Sequence, residues 1–247
     1  MDKTILLIGP GLDDGTRTAK LAEHLAGRFR VLTMRRRQYR PELKPGNAPC
    51  SIAEEVEDVL ALAEDVEGPL VVYGHSSGGI VALEALVAAP ARFTAAVIYE
   101  APIVLGPPLG GAALTRARAA LAEGKPGRAL TIFMRDTVQL PAWQAWLIGK
   151  VVALAPPYRA LVPHQIDDLE AIDRLGARLD EYSRVAVPTL LVGGDRSPAH
   201  LARRLDALER ALPRADRVVL HKQGHSADVK VPARLAEAIS TFVDKSR

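Results

Sequence analysis

Six short apolar runs, each stopped by turn-forming residues, punctuate the chain: TILLI (4–8), VLTM (31–34), LVVY (70–73), AAVIY (95–99), TLLV (189–192) and RVVL (217–220). Runs this short, rich in Val, Leu and Ile, read as strands buried on both faces. Most are separated by segments of helical period. Residues 16–29 carry Leu21 and Leu25 in i, i+4 register, and residues 52–66 carry Val56, Val59, Leu60 and Ala63 on one face. Ser51 is placed to cap the second of these, with Glu54 at the capping-box position. Residues 77–89 are apolar nearly all round, as in a helix packed under a sheet, and helices follow at 199–212 and 232–244, where Pro232 suits a first turn. Strand alternating with helix predicts an α/β fold with a doubly wound, mainly parallel sheet. With three residues before the first run, about six strands are expected.

One stretch breaks the alternation. From Pro102 to Val187 no strand pattern occurs; helical patterns fall at 112–123, 127–138, 142–153 and 167–182, punctuated by Pro107-Pro108 and Pro156-Pro157. The expected organisation is a core of residues 1–101 and 188–247 with a helical insertion at 102–187.

The chain has 247 residues, 48% of them hydrophobic and 25% charged, the balance of a soluble globular protein with a sizeable core. Its single cysteine, Cys50, lies in a loop rich in proline and glycine (PELKPGNAPCS) and reads as a bystander thiol. No apolar run is long enough for a signal peptide or a membrane span, so a cytoplasmic protein without a membrane partner is expected. The net charge is only +3 and aromatic residues are 4%, which argues against a nucleic-acid partner. The basic run Arg35-Arg36-Arg37 reads as a solvated loop, with an anion-recognising pocket edge as the sharper alternative. Cys-x-x-Cys does not occur, and no metal and no cofactor are expected. Homodimerisation is left open.

The chemistry concentrates at Gly74-His75-Ser76-Ser77-Gly78-Gly79, where a buried strand turns into a buried helix. Gly-x-Ser-x-Gly at such a corner holds the serine in a strained conformation clear of the backbone, while glycines permit close strand–helix approach. Ser76 occupies the middle position. Ser77 opens the helix and offers a backbone N–H to a developing oxyanion. A serine hydroxyl needs a base, and the base an orienting acid. His75 adjoins Ser76 but faces away from it; His24 and His164 lie on helical segments, and His221 ends the last strand. His225, after Gly224 on the loop beyond that strand, is the expected base. Asp195, after Gly193-Gly194 at a strand end, is the preferred acid. Glu100, ending the fourth strand, and Asp228, just past His225, are rivals that lack this strand-end glycine context.

These pieces resemble the α/β-hydrolase superfamily over essentially the whole chain. The matching elements are LLIGPG after the first strand, GHSSGG at the elbow, PTLLVGGDRSP at the acid and GH near the end, in the order Ser76, Asp195, His225. The insertion falls where the family places its cap. The resemblance, most of all to small bacterial hydrolases with a Gly-His-Ser-Ser-Gly elbow, implies a Ser-His-Asp triad, an oxyanion hole and a pocket for a small-molecule substrate between cap and core. Two departures stand out. Members commonly carry His-Gly after the first strand where this chain has Ile8-Gly9, and the following residue, which often donates an oxyanion N–H, is Pro10, which has none. The second donor then falls to Gly11 or Leu12. Trp143, Trp146 and Met134, at helical spacings in the insertion, read first as cap packing, but its inner face must line the pocket, so the candidates for substrate contact are Pro10, His75, Met134, Trp143 and Trp146. The expected function is a serine hydrolase, of carboxylic ester hydrolase type, that cleaves an ester, thioester or lactone of a small to medium organic substrate. The alternative is a non-hydrolytic lyase, cyclase or other cofactor-free enzyme using His225 as general base.

Overall fold

The computed structural model describes residues 3–40, 42 and 49–246. Most of the loop expected before Cys50 lies outside the described residues; Cys50 itself is buried. The six apolar runs form strands β1 (Thr4–Ile8), β2 (Arg30–Met34), β3 (Leu70–His75), β4 (Ala95–Tyr99), β5 (Thr189–Gly194) and β6 (Ala215–Leu220). They make one sheet in the order β2-β1-β3-β4-β5-β6, every pairing parallel. The order reverses between β1 and β3, and a doubly wound sheet opens a crevice at the strand ends at such a point.

Alternation along the strands divides the core in two. Leu6, Ile8, Val72, Ile98 and Leu191 face one side, packed with α2 (Ile52–Glu64), α3 (Ser77–Ala88) and α9 (Ala199–Ala211) through Val59, Leu83 and Leu208. Ile5, Leu7, Tyr73, Val97 and Leu190 face the other, against Leu21 and Leu25 of α1 (Ala19–Leu25) and Ile239 and Phe242 of α11 (Pro232–Lys245). Truncating a fully buried side chain such as Leu83 to alanine in a core of this kind costs about 2–5 kcal/mol.

Local chemistry sets the helix ends. Ser51 and Glu54 form the expected capping box on α2, and Pro232 lies in the first turn of α11. The helix predicted from residue 16 starts only at Ala19, because Asp13 Oδ1 accepts the N–H groups of Gly15, Thr16 and Arg17 at 2.9, 3.0 and 3.0 Å and holds the preceding segment as a turn.

Between β4 and β5 the chain forms α4 (Gly111–Ala122), α5 (Pro126–Ile132) with a π turn at Phe133–Thr137, α6 (Ala142–Leu154), α7 (Pro156–Leu175) and α8 (Leu179–Tyr182). The boundaries differ from the sequence reading here. Pro156 and Pro157 separate α6 from α7 and also start α7, ahead of the predicted residue 167, since a first turn needs no N–H from them. Gly176, at φ +73°, then ends the helix and divides the predicted 167–182 segment. These helices share their own apolar cluster, built on Ala117, Leu130, Val162 and Ile166, against which Leu12 from the loop after β1 packs. The short α10 (Ala227–Lys230) precedes α11. Among the described residues no helix is long and apolar enough to cross a membrane.

Candidate active site

Ser76 stands between β3 and α3 at φ +54°, ψ −125°, a conformation that costs a non-glycine residue about 1–3 kcal/mol. The surrounding structure pins it there. Its N–H donates to Tyr99 O at 2.9 Å and its carbonyl accepts from Gly79 N–H at 2.8 Å. The glycines around it are steric requirements. A Cβ at Gly78 would overlap the carbonyl oxygen of Gly9, and one at Gly74 would stand 2.7 Å from the Cα of Gly79. The corner therefore seats β1, β3 and α3 closely enough to present Ser76 at the crevice. Ser77 N–H is the first of α3 and, as at any helix start, has no acceptor within its own helix.

Ser76 opens on a cavity of about 160 Å³. Its floor includes Pro10, Gly11, Leu12 and Ser77; Met134 and Leu169 come from the inserted helices, and His225 from the loop after β6. Leu12, at φ +54°, is a second strained non-glycine residue at this mouth. The lining is mainly apolar, with a few polar groups such as Gln165 and His200.

His225 Nδ1 lies 2.6 Å from Glu100 Oε2. Glu100 is 1% exposed, and its other oxygen accepts the Gly194 N–H at 2.8 Å. Burial pushes the Glu100 carboxyl up, but hydrogen bonds from His225 and Gly194 outweigh it and hold it below the ordinary glutamate range. An ionised Glu100 fixes the proton of His225 on Nδ1 and leaves Nε2 as the basic nitrogen. Tyr99 braces the same loop, its hydroxyl donating to Gly224 O at 2.5 Å and accepting from Ala227 N–H at 3.1 Å.

The preferred acid of the sequence reading is not at this position. Asp195 pairs with His221 at 2.8 Å on the surface, where the two side chains are 35% and 72% exposed. Glu100, the lower-ranked rival, faces His225. One of the glycines that favoured Asp195 serves Glu100 instead, Gly194 supplying it a hydrogen bond, while Gly193 leaves room for Leu205. The other rival, Asp228, is buried and takes two bonds from Arg17, at 2.7 and 3.1 Å.

His75 does not reach the cavity. It is fully buried, stacked on Tyr99 at 4.3 Å and tilted against His225 at 4.7 Å. Burial drives its imidazole down to about 4, against the pull of Asp228, whose Oδ2 lies 3.4 Å from its Nδ1. It is a neutral platform beneath the His225 loop. Trp143 and Trp146 are also misplaced by the sequence reading: they are 66% and 56% exposed on the outside of α6. A helical stripe of apolar residues in sequence does not say which side of the helix is covered. Pro10, Gly11, Leu12 and Met134 do line the cavity. His200 was missed. It lies in the first turn of α9, with Nε2–H donating to Val138 O at 2.9 Å and Nδ1 accepting from Arg204 at 2.9 Å. The only sequence signal for it is its position just past the β5 loop.

The basic run departs furthest from expectation. Arg36 is neither solvated nor at a pocket edge but 3% exposed. It binds Glu55 at 2.6 and 3.1 Å, Asp168 at 2.8 and 3.1 Å, and Ser77 Oγ at 2.6 Å. Tyr39 donates to Asp168 at 2.9 Å. One cation thus ties α2, α7 and the elbow together beneath the expected oxyanion donor. Its neighbours stay outside: Arg35 donates to Asp14 O at 2.9 Å, and Arg37 pairs with Asp58.

Comparison with known proteins agrees with this architecture. A solved alpha/beta hydrolase from Sphaerobacter thermophilus DSM 20745 is 27% identical, with a TM-score of 0.82 over 98% of this chain and 93% of that one. A thermophilic esterase from Thermogutta terrifontis is 21% identical, with a TM-score of 0.75 over 98% and 90%. MenH from S. aureus is 13% identical, with a TM-score of 0.75 over 99% and 94%. The last two likenesses concern the fold. The strained serine corner on a parallel sheet is matched along residues 5–238 by the family model described as the alpha/beta hydrolase family, and the chain belongs to that family.

Proposed function

We propose that the protein is a serine hydrolase that cleaves an ester, thioester or lactone of a small to medium organic substrate. The observation that carries this reading is the strained Ser76 opening on the same cavity as His225, whose Nδ1 is held by buried Glu100. Ser76 Oγ attacks the substrate carbonyl carbon while its proton passes to His225 Nε2. The oxyanion takes hydrogen bonds from Ser77 N–H and from Gly11 or Leu12 N–H, Pro10 having none to give. His225 then protonates the leaving group as the carbonyl reforms, giving an acyl-enzyme on Ser76. Water, deprotonated by His225, releases the acid. Glu100 stays ionised and stabilises the imidazolium. The inserted helices act as a cap over the cavity, and its apolar lining favours an apolar acyl or alkyl group.

Pro10 at the cavity keeps one other reading in view, in which His225 is a general base and Ser76 only hydrogen-bonds the substrate. Labelling with a fluorophosphonate, read by intact mass on wild type, Ser76→Ala and His225→Ala, decides. One adduct on wild type and none on either variant supports the hydrolase. No adduct on folded wild-type protein overturns it.

A further inference from the structure

The outer side of the inserted helices carries an apolar face that belongs to neither the core nor the cavity. On α6, Trp143, Trp146, Leu147, Val151 and Leu154 recur at helical spacing and are all exposed, Leu154 by 84%; Tyr158 continues the row into α7. None of them lines the cavity around Ser76. Both tryptophans of the chain are in this row. Exposed apolar patches of this extent mark interaction sites.

The charge around the row is mostly positive. No Asp or Glu occurs from Thr137 to Ile166, in a chain with 29 acidic residues. Beside Trp146 a surface groove is lined by Lys125, Arg128, Lys150 and Arg159. Glu123 pairs with the first two. Lys150 instead lies 5.8 Å from the Trp146 ring centre, and Arg159 Nη1 approaches the Ala153 carbonyl at 3.5 Å.

We propose that the outer face of α6 and the start of α7 docks on an anionic lipid bilayer, with the apolar row in the headgroup–acyl boundary and the four cations at the phosphates. A helix lying in the membrane plane needs an apolar face, interfacial tryptophans and basic flanks, and all three are present. A second copy of the chain fits less well: pairing this face with itself would set Lys150 and Arg159 against their own counterparts with no carboxylate in the segment to offset them. The expectation of no membrane partner rested on the lack of a spanning segment, which surface docking does not need.

The test is flotation of the full chain with vesicles of phosphatidylcholine alone or mixed with phosphatidylglycerol. Trp fluorescence and quenching by brominated acyl chains are read alongside. The expected result is flotation and a blue shift with the mixed vesicles only, weakened by salt. Leu154→Glu abolishes both. Lys150→Ala with Arg159→Ala weakens partitioning about thirty-fold. Each variant keeps the wild-type circular dichroism and fluorophosphonate labelling rate. Two results overturn the proposal: folded wild-type protein that does not float with anionic vesicles at low salt, or variants that float as well as wild type. A concentration-dependent dimer in sedimentation that Leu154→Glu dissociates also overturns it, and makes the second copy the occupant.

Discussion

Glu100 and His225 are 125 positions apart in the chain and 2.6 Å apart in space. The carboxylate comes from the end of β4, next to the strand that carries Ser76, rather than from the loop after β5. If His225 is the base, Glu100 sets its tautomer. Glu100→Gln should lower kcat/KM for an activated ester by about 10³–10⁴-fold, the scale seen when an orienting acid loses its charge. Asp195→Asn, which loosens only a surface pair with His221, should stay within about threefold, since exposed pairs are worth at most about 1 kcal/mol. Steady-state kinetics on both variants checks this. A larger loss from Asp195→Asn would return the acid to the β5 loop.

The strain at Ser76 trades stability against reactivity. Glycine tolerates φ +54° without the Cβ penalty, although it gives up about 0.5–1 kcal/mol of chain entropy. Ser76→Gly is therefore expected to raise Tm by about 2–4 °C while abolishing turnover. Scanning calorimetry reads the first effect. A lowered Tm would show that the hydroxyl stabilises the corner more than its backbone strains it.

Arg36 neutralises two buried carboxylates. Arg36→Met leaves Glu55 and Asp168 facing each other without a cation, and removing one partner of a buried pair costs about 3–5 kcal/mol. The sign of the pH effect follows from proton binding. Burial already raises the Glu55 carboxyl, and loss of Arg36 raises it further. The folded variant then binds protons that the unfolded chain releases, so its stability rises as pH falls toward the ordinary glutamate range. Urea unfolding should show the deficit against wild type narrowing from pH 8 to pH 5. A deficit independent of pH would mean that the carboxylates are not the source of the loss.

His75 predicts acid sensitivity. Its folded value of about 4 lies below the 6.5 of a free imidazole. Below pH 6.5 the unfolded chain takes up a proton that the folded protein refuses, so stability falls with pH until about 4. Between pH 7 and pH 4.5 this amounts to roughly 2–3 kcal/mol, at 1.36 kcal/mol per pH unit. Asp228, held well below the usual carboxylate range by His75 and Arg17 despite its burial, works in the same direction. His75→Phe keeps a ring against Tyr99 and should flatten the acid limb by that amount. An unchanged slope in urea unfolding would assign the acid limb to other groups.

The sequence by itself determined the sheet and the serine corner, and placed His225 on the loop after β6. Periodicity and turn chemistry are local properties, so all six strands are legible, as is the capping box on α2. The Gly-x-Ser-x-Gly spacing at residues 74–78 is also a local signal, although the Gly9 carbonyl that makes Gly78 a steric requirement comes from the loop after β1. What the tertiary structure decided is which side chains meet. Asp195 and Glu100 both end strands, and the glycines before Asp195, a local signal, do not say which of the two faces His225; the placement of the His225 loop, braced by Tyr99, brings Glu100 into reach and leaves Asp195 to His221. Arg36 reads as one of three adjacent arginines until α2 and α7 close over it with Glu55 and Asp168. Trp143 and Trp146 read as cap packing or cavity lining until the packing of α6 turns them outward. In each case burial and pairing depend on distant segments of the chain, and spacing along the sequence does not carry that information.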